Sequence, residues 1–167
     1  MSIWNMIALR WLTTTLILFG GSLAAFGQAS PKCQVRPASL AAMRDCYRPL
    51  LVFSPSADDP RLKQQGAILD ADADDMMDRF VMLTPILPAT RGFQAPLDTP
   101  YVVLSAQEMR TIRRRFQIPA NRFAVLLLGE DGSIALRSNQ PVEAARLNAL
   151  IDTMPVRKVE EERPHAN

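Results

Sequence analysis

Phe123-Ala124-Val125-Leu126-Leu127-Leu128-Gly129-Glu130-Asp131-Gly132-Ser133-Ile134-Ala135-Leu136-Arg137 reads as a β-hairpin. A continuous apolar run of strand length ends at Gly129, Gly132 supplies the positive φ that such turns need, and a shorter apolar run returns. Upstream, Leu50 to Phe53 is a second buried strand, introduced by Arg48-Pro49 and closed by Ser54-Pro55-Ser56. From Asp59 to about Met77 the apolar positions Leu62, Ile68, Leu69, Met76 and Met77 alternate with charged residues. With Asp58 or Asp59 as cap and Pro60 in the first turn, this is a helix, broken near Gly66 or Asp70. Phe80 to Leu87 is a further strand, and Pro88 to Pro100 a polar loop. Ser105 with Glu108 three residues on starts a helix that turns Met109, Ile112 and Phe116 inward and leaves Arg110, Arg113 and Arg114 mostly outward. Pro141 to Met154 is a last amphipathic helix, stopped before Pro155, and Val156 to Asn167 is charged and frayed.

The order β-α-β-α-β-β-α combines parallel crossovers with a closing hairpin and a final helix. It predicts an α/β fold of thioredoxin-like arrangement, with a central mixed sheet of about four strands flanked by helices. Four strings carry a resemblance: Arg48 to Phe53, Asp78-Arg79-Phe80-Val81, Phe123 to Gly132, and Ile151-Asp152-Thr153-Met154-Pro155-Val156-Arg157 with Glu160 behind it. Together they resemble the family called domain of unknown function 4174, from about Tyr47 to Glu160, and the string ending at Arg157 is the most specific. The resemblance implies a thioredoxin-like fold and small exported bacterial proteins, similar to the C-terminal modules of extracellular sushi-repeat proteins. It transfers no reaction. Glu130 stands where related sequences tend to have lysine, so no role of that lysine carries over.

Across 167 residues, 48% hydrophobic and 22% charged describe a globular chain and argue against whole-chain disorder or a multi-span membrane protein. Nineteen basic against 17 acidic residues leave +2, too little to steer the whole molecule onto nucleic acid or an anionic membrane. Residues 1–29 read as a secretory signal peptide: Arg10, an apolar run from Trp11 to Phe26, then Gly27-Gln28-Ala29, with cleavage after Ala29. The rival is an uncleaved anchor helix beginning near Ile3. After cleavage, 18 basic against 17 acidic residues remain, and no membrane attachment is expected. Residues 30–46 then form an N-terminal segment, 47–160 the domain and 161–167 a disordered tail. The product is expected to be periplasmic or extracellular.

Export changes how the two cysteines are read. In an oxidising compartment Cys33 and Cys46, with no competing thiol, most simply form one disulfide that staples the N-terminal segment and stabilises by about 3 kcal/mol. A redox-active pair and two unpaired thiols are the alternatives. In redox thioredoxins a C-x-x-C motif follows the first strand, where a helix N-terminus lowers the thiol pKa. Here that stretch is Ser54 to Pro60 and holds Asp58 and Asp59 instead. Ala124 takes the place of the proline that faces the thiols.

Other chemistries find little support. His165 is the only histidine and sits in the tail. Asp70, Asp72, Asp74 and Asp75 suggest a calcium loop, but Asp75 and Val81 occupy its glycine and glutamate positions. Arg110, Arg113, Arg114 and Arg115 are either a solvated helix face or a basic surface for an anionic partner. Asp152, at the unfavourable end of a helix dipole, calls for a cation such as Arg157 or Arg79. Asp152 and Arg157 are therefore a turn lock or a binding contact. The expectation is a non-enzymatic exported module that binds a protein or envelope component, without cofactor or metal. The alternatives are an unconventional thiol oxidoreductase using Cys33 and Cys46, or a hydrolase built on Asp58 and Asp59.

Overall fold

The chain folds around β1 (Arg48–Phe53), which pairs in parallel with β2 (Val81–Ile86) and antiparallel with β3 (Ala124–Leu128) in a computed structural model that describes residues 33–161. β4 (Ile134–Ser138) pairs antiparallel with β3 and completes the sheet order β2-β1-β3-β4. Every residue of β1, β2 and β3 is buried, so both faces of the sheet are covered and these strands read as unbroken apolar runs. β4 alternates and forms one edge. At the other edge Tyr101 bridges to Leu83: Leu83 N–H donates to Pro100 O and Val102 N–H to Leu83 O, both at 2.9 Å. That backbone pairing covers groups an edge strand would otherwise present to other chains.

The crossover from β1 to β2 runs through α1 (Pro60–Ala71) and α2 (Ala73–Asp78), and α3 (Ala106–Arg115) leads to β3. Gly66 continues α1, and the break falls at Asp72, with φ −125° and ψ 36°. Two residues before it, the Asp70 carboxylate reaches the polar loop, where it accepts the N–H groups of Leu97, Asp98 and Thr99 at 2.8, 3.3 and 3.0 Å. Those bonds hold its carboxyl below the ordinary range against the opposing effect of burial. Ser105 caps α3 by accepting Glu108 N–H at 3.1 Å, while the Glu108 side chain turns to Leu40 N–H. The hairpin turn has Gly132 at φ 78°.

The C-terminus departs from expectation. The last helix is shorter, α4 (Ala144–Ile151), and a further helix, α5 (Pro155–Glu161), occupies what reads as frayed tail. Pro155 stops one helix and starts the next, because a proline in the first turn sacrifices no helical hydrogen bond. The signal peptide lies outside the described residues, as do residues 162–167 of the tail.

Gln65 on α1 has no exposed surface, and its amide pairs with both backbone groups of Val142: Nε2–H donates to the carbonyl at 3.0 Å and Oε1 accepts the N–H at 2.8 Å. This anchors the segment that enters α4. Gln65→Leu strands a buried donor and acceptor, and urea unfolding is expected to show a loss of about 2–4 kcal/mol, whereas an exposed neighbour such as Gln64→Leu stays within about 0.5 kcal/mol.

Candidate functional site

At the end of β1 where a redox member of the fold would carry its thiols, Phe53 pairs with Ala124 at the start of β3. Ser54 is fully buried and donates its hydroxyl to Ser56 O at 2.8 Å. Asp59 caps α1 through Arg61 N–H at 2.9 Å and grips the Arg61 guanidinium at 2.7 and 3.0 Å. That hydrogen bond to Arg61 is the main reason its carboxyl is held below the ordinary range. The guanidinium in turn lies 4.7 Å from the Phe123 ring centroid. Asp58 is exposed and meets Lys63 at 3.3 Å. The two carboxylates serve separate cations.

Arg113 is not on the outward face. It is partly buried, lies 5.5 Å from the Phe53 ring, and donates to Ser54 O, Ile86 O and Pro119 O at 3.1, 2.7 and 2.8 Å. It ties the ends of β1 and β2 together, and burial pushes its pKa down from the ordinary value. Two of the four acidic residues at 70–75 are engaged within the fold: besides Asp70, Asp75 accepts from Asn148 and pairs with Arg79, while Asp72 and Asp74 are exposed. No group of three potential metal ligands is found among the described residues.

At the other end of β1 stands the disulfide. Cys33 and Cys46 are bonded, with Cα atoms 5.4 Å apart. Cys46 is buried and Cys33 exposed. Tyr47 O–H donates to Gln34 O and Asp45 N–H to Glu130 O, so the stapled segment is fastened on both sides of the bridge.

Beside it lies a network of charges. Arg48 has no exposed surface, and its guanidinium meets Glu130 at 3.2 Å, Glu160 at 3.1 and 3.2 Å, and Arg79 O at 2.9 Å. Burial, with the neighbouring Glu160 carboxylate, pushes the Glu130 carboxyl up from its ordinary value, although Arg48 opposes the shift. Asp152 is held by Arg79 in a two-bond clamp at 2.9 and 3.0 Å, with Arg157 3.7 Å away. Arg79 is the main cause of its lowered pKa. Arg157 is buried, bonds both the carboxylate and the carbonyl of Asp78, and lies 3.6 Å from Glu160. Asp152 and Arg157 thus meet at the turn between α4 and α5, with both cations proposed for Asp152 in place. Sequence reading gives no role to Arg48, Glu130 or Glu160. Their signal is present nonetheless, since each of the four resembling strings contributes a charge to this one cluster.

The family described as Domain of unknown function (DUF4174) matches residues 39–160, and the chain belongs to it. Among curated proteins nothing matches. Solved structures similar in fold include thioredoxin peroxidase I of Plasmodium yoelii, with TM-score 0.53 and 15% identity over 77% of this chain and 84% of that one. The reduced 2-Cys peroxiredoxin of Plasmodium vivax has TM-score 0.52 and 14% identity over 73% and 84%. At such identities the likeness establishes a thioredoxin fold and nothing further.

The network makes stability depend on pH in two directions. Folding raises the Glu130 pKa above its ordinary 4.5, so the native state holds that proton more tightly and the associated stability falls as pH rises through the interval. In urea unfolding from about pH 4 to about pH 8, Glu130→Gln is therefore expected to gain on the wild type as pH rises, then level off. Asp152 runs the other way: its lowered pKa gives stability above the ordinary carboxylate value, lost as pH falls through the native one. The deficit of Asp152→Asn shrinks on acidification.

Proposed function

We propose that the chain is an exported thioredoxin-like module that binds another protein or an envelope component, and that it carries out no thiol chemistry at the fold's usual redox position. The observation that carries this reading is the placement of its sulfur. Both cysteines of the chain are bonded to each other ahead of β1, while Ser54 to Pro60 after β1 holds carboxylates already matched to Arg61 and Lys63. The disulfide is compatible with an oxidising compartment. No helix among the described residues is long and apolar enough to cross a membrane. On this reading the bridge is a staple that holds residues 33–46 against the start of β1.

One observation favours a second reading. Cys33 is exposed, so an external thiolate can reach the bond, as an unconventional oxidoreductase using Cys33 and Cys46 would require.

Mass spectrometry of the purified protein in millimolar reduced glutathione separates the two. A staple stays oxidised and gives no turnover of a disulfide substrate; rapid mixed-disulfide formation with turnover overturns the binding-module reading. The double variant Cys33→Ser/Cys46→Ser is expected to lose about 3 kcal/mol in chemical unfolding and keep its fold.

A further inference from the structure

The arginines of this protein fall into two populations. Arg48, Arg61, Arg79 and Arg157 each meet a carboxylate. The other ten described arginines have none within 4.0 Å among the described residues, and five of them, Arg110, Arg113, Arg114, Arg122 and Arg137, line a pair of hollows at one end of the sheet. The first hollow, about 450 Å³, lies along α3 beside Arg110, Arg113 and Arg114. The second, about 490 Å³, runs beside Arg122 and Arg137 to Ser138 and Asn139 at the end of the edge strand β4. Ile118 and Pro119 line both, so the two adjoin as one shallow, open trough, and no Asp or Glu lines either part.

Two of these cations are held in place by carbonyls alone. Arg113 donates to three, and Arg137 to Phe116 O at 2.9 Å. A carbonyl satisfies a guanidinium N–H without cancelling its charge, so the trough keeps the positive charge of a partly buried Arg113 and an exposed Arg137. Arg110, Arg114 and Arg122 are exposed around it. A net charge of only +2 for the whole chain means that attraction is local to this patch.

We infer that the trough is a docking site for an acidic, extended peptide segment of a partner protein, with carboxylates on the arginine rim and an apolar side chain over Ile118 and Pro119. The inference rests on the protein-binding reading above and gives it a surface and a partner chemistry. The edge strand favours a peptide over a membrane: β4 ends at the second hollow, and the free backbone edge of such a strand can pair with an extended chain but not with a bilayer.

The test is fluorescence anisotropy with a fluorescein-labelled peptide of about ten alternating Glu and Val residues, against its Lys counterpart and against vesicles of anionic phospholipid. The Glu peptide is expected to bind, more weakly as salt rises, and the Lys peptide not to bind. Arg110→Glu/Arg122→Glu replaces two exposed side chains, so a normal thermal melt is expected, with affinity for the Glu peptide down by about ten-fold or more. Arg146→Glu on α4, the same charge change away from the trough, is expected to alter it less than about two-fold. No binding of the Glu peptide, equal loss in the Arg146 control, or vesicle binding that the trough variant abolishes while the peptide stays unbound would overturn the inference. Crosslinking in the native envelope separates the two levels of the claim. A partner captured equally by wild type and trough variant leaves the binding reading standing and removes the trough from it, while absence of any reproducible partner defeats the broader reading.

Discussion

The guanidinium of Arg48 is the constraint on which this structure turns. A cation with no exposed surface costs several kcal/mol in lost hydration, and the protein must surround it with acceptors to keep it. Those acceptors come from the hairpin turn (Glu130), the last helix (Glu160) and the loop before β2 (the Arg79 carbonyl). Satisfying one buried charge therefore fixes three distant segments against the start of β1. Its neighbours continue the chain of dependence, because Arg79 clamps Asp152 and Arg157 reaches Asp78 and Glu160. α5, seven residues long and too short to be stable alone, is helical because this network holds it.

The two ends of the sheet are consequently built on opposite electrostatic plans. Around Arg48, cations and carboxylates are interleaved as an internal lock. At the far end, beyond Phe53 and Ala124, the fold's usual thiol position is filled by a buried serine and a capped ion pair, and Arg113 fastens the strand ends through carbonyls. Interior bonding therefore absorbs much of the charge that looks chemically suggestive in this chain. Positive charge without a carboxylate partner remains along Ile118 and Pro119, on Arg110, Arg113, Arg114, Arg122 and Arg137.

Much of the fold was legible because its signals are local. The unbroken apolar runs at 50–53 and 123–129, the Gly132 turn and the Ser105 cap each announce themselves within a few residues. The failures were all non-local. What spacing does not show is that Asp70, beside the helix break at Asp72, is bonded to a loop 27 residues downstream. Arg113 is four residues from Met109 and shares its face, so helical periodicity carries it toward the sheet; its charge made it look outward, although a long side chain can bury its stem and still satisfy its head on carbonyls. Pro155 reads as a stop with equal justification as a start, and only Arg48 and Asp78 decide between them. Cys33 and Cys46 were readable as a pair, whereas the cluster beside them combines residues from segments that no spacing rule connects.

Hydrogen–deuterium exchange on Arg48→Met is the most direct measurement of whether this network, rather than local helix propensity, holds the C-terminal segment in place. The account predicts faster exchange at residues 155–161 and at the start of β1 and β2, with α3 and the centre of β3 protected as in the wild type. Unchanged protection across 155–161 in a folded Arg48→Met protein would contradict it.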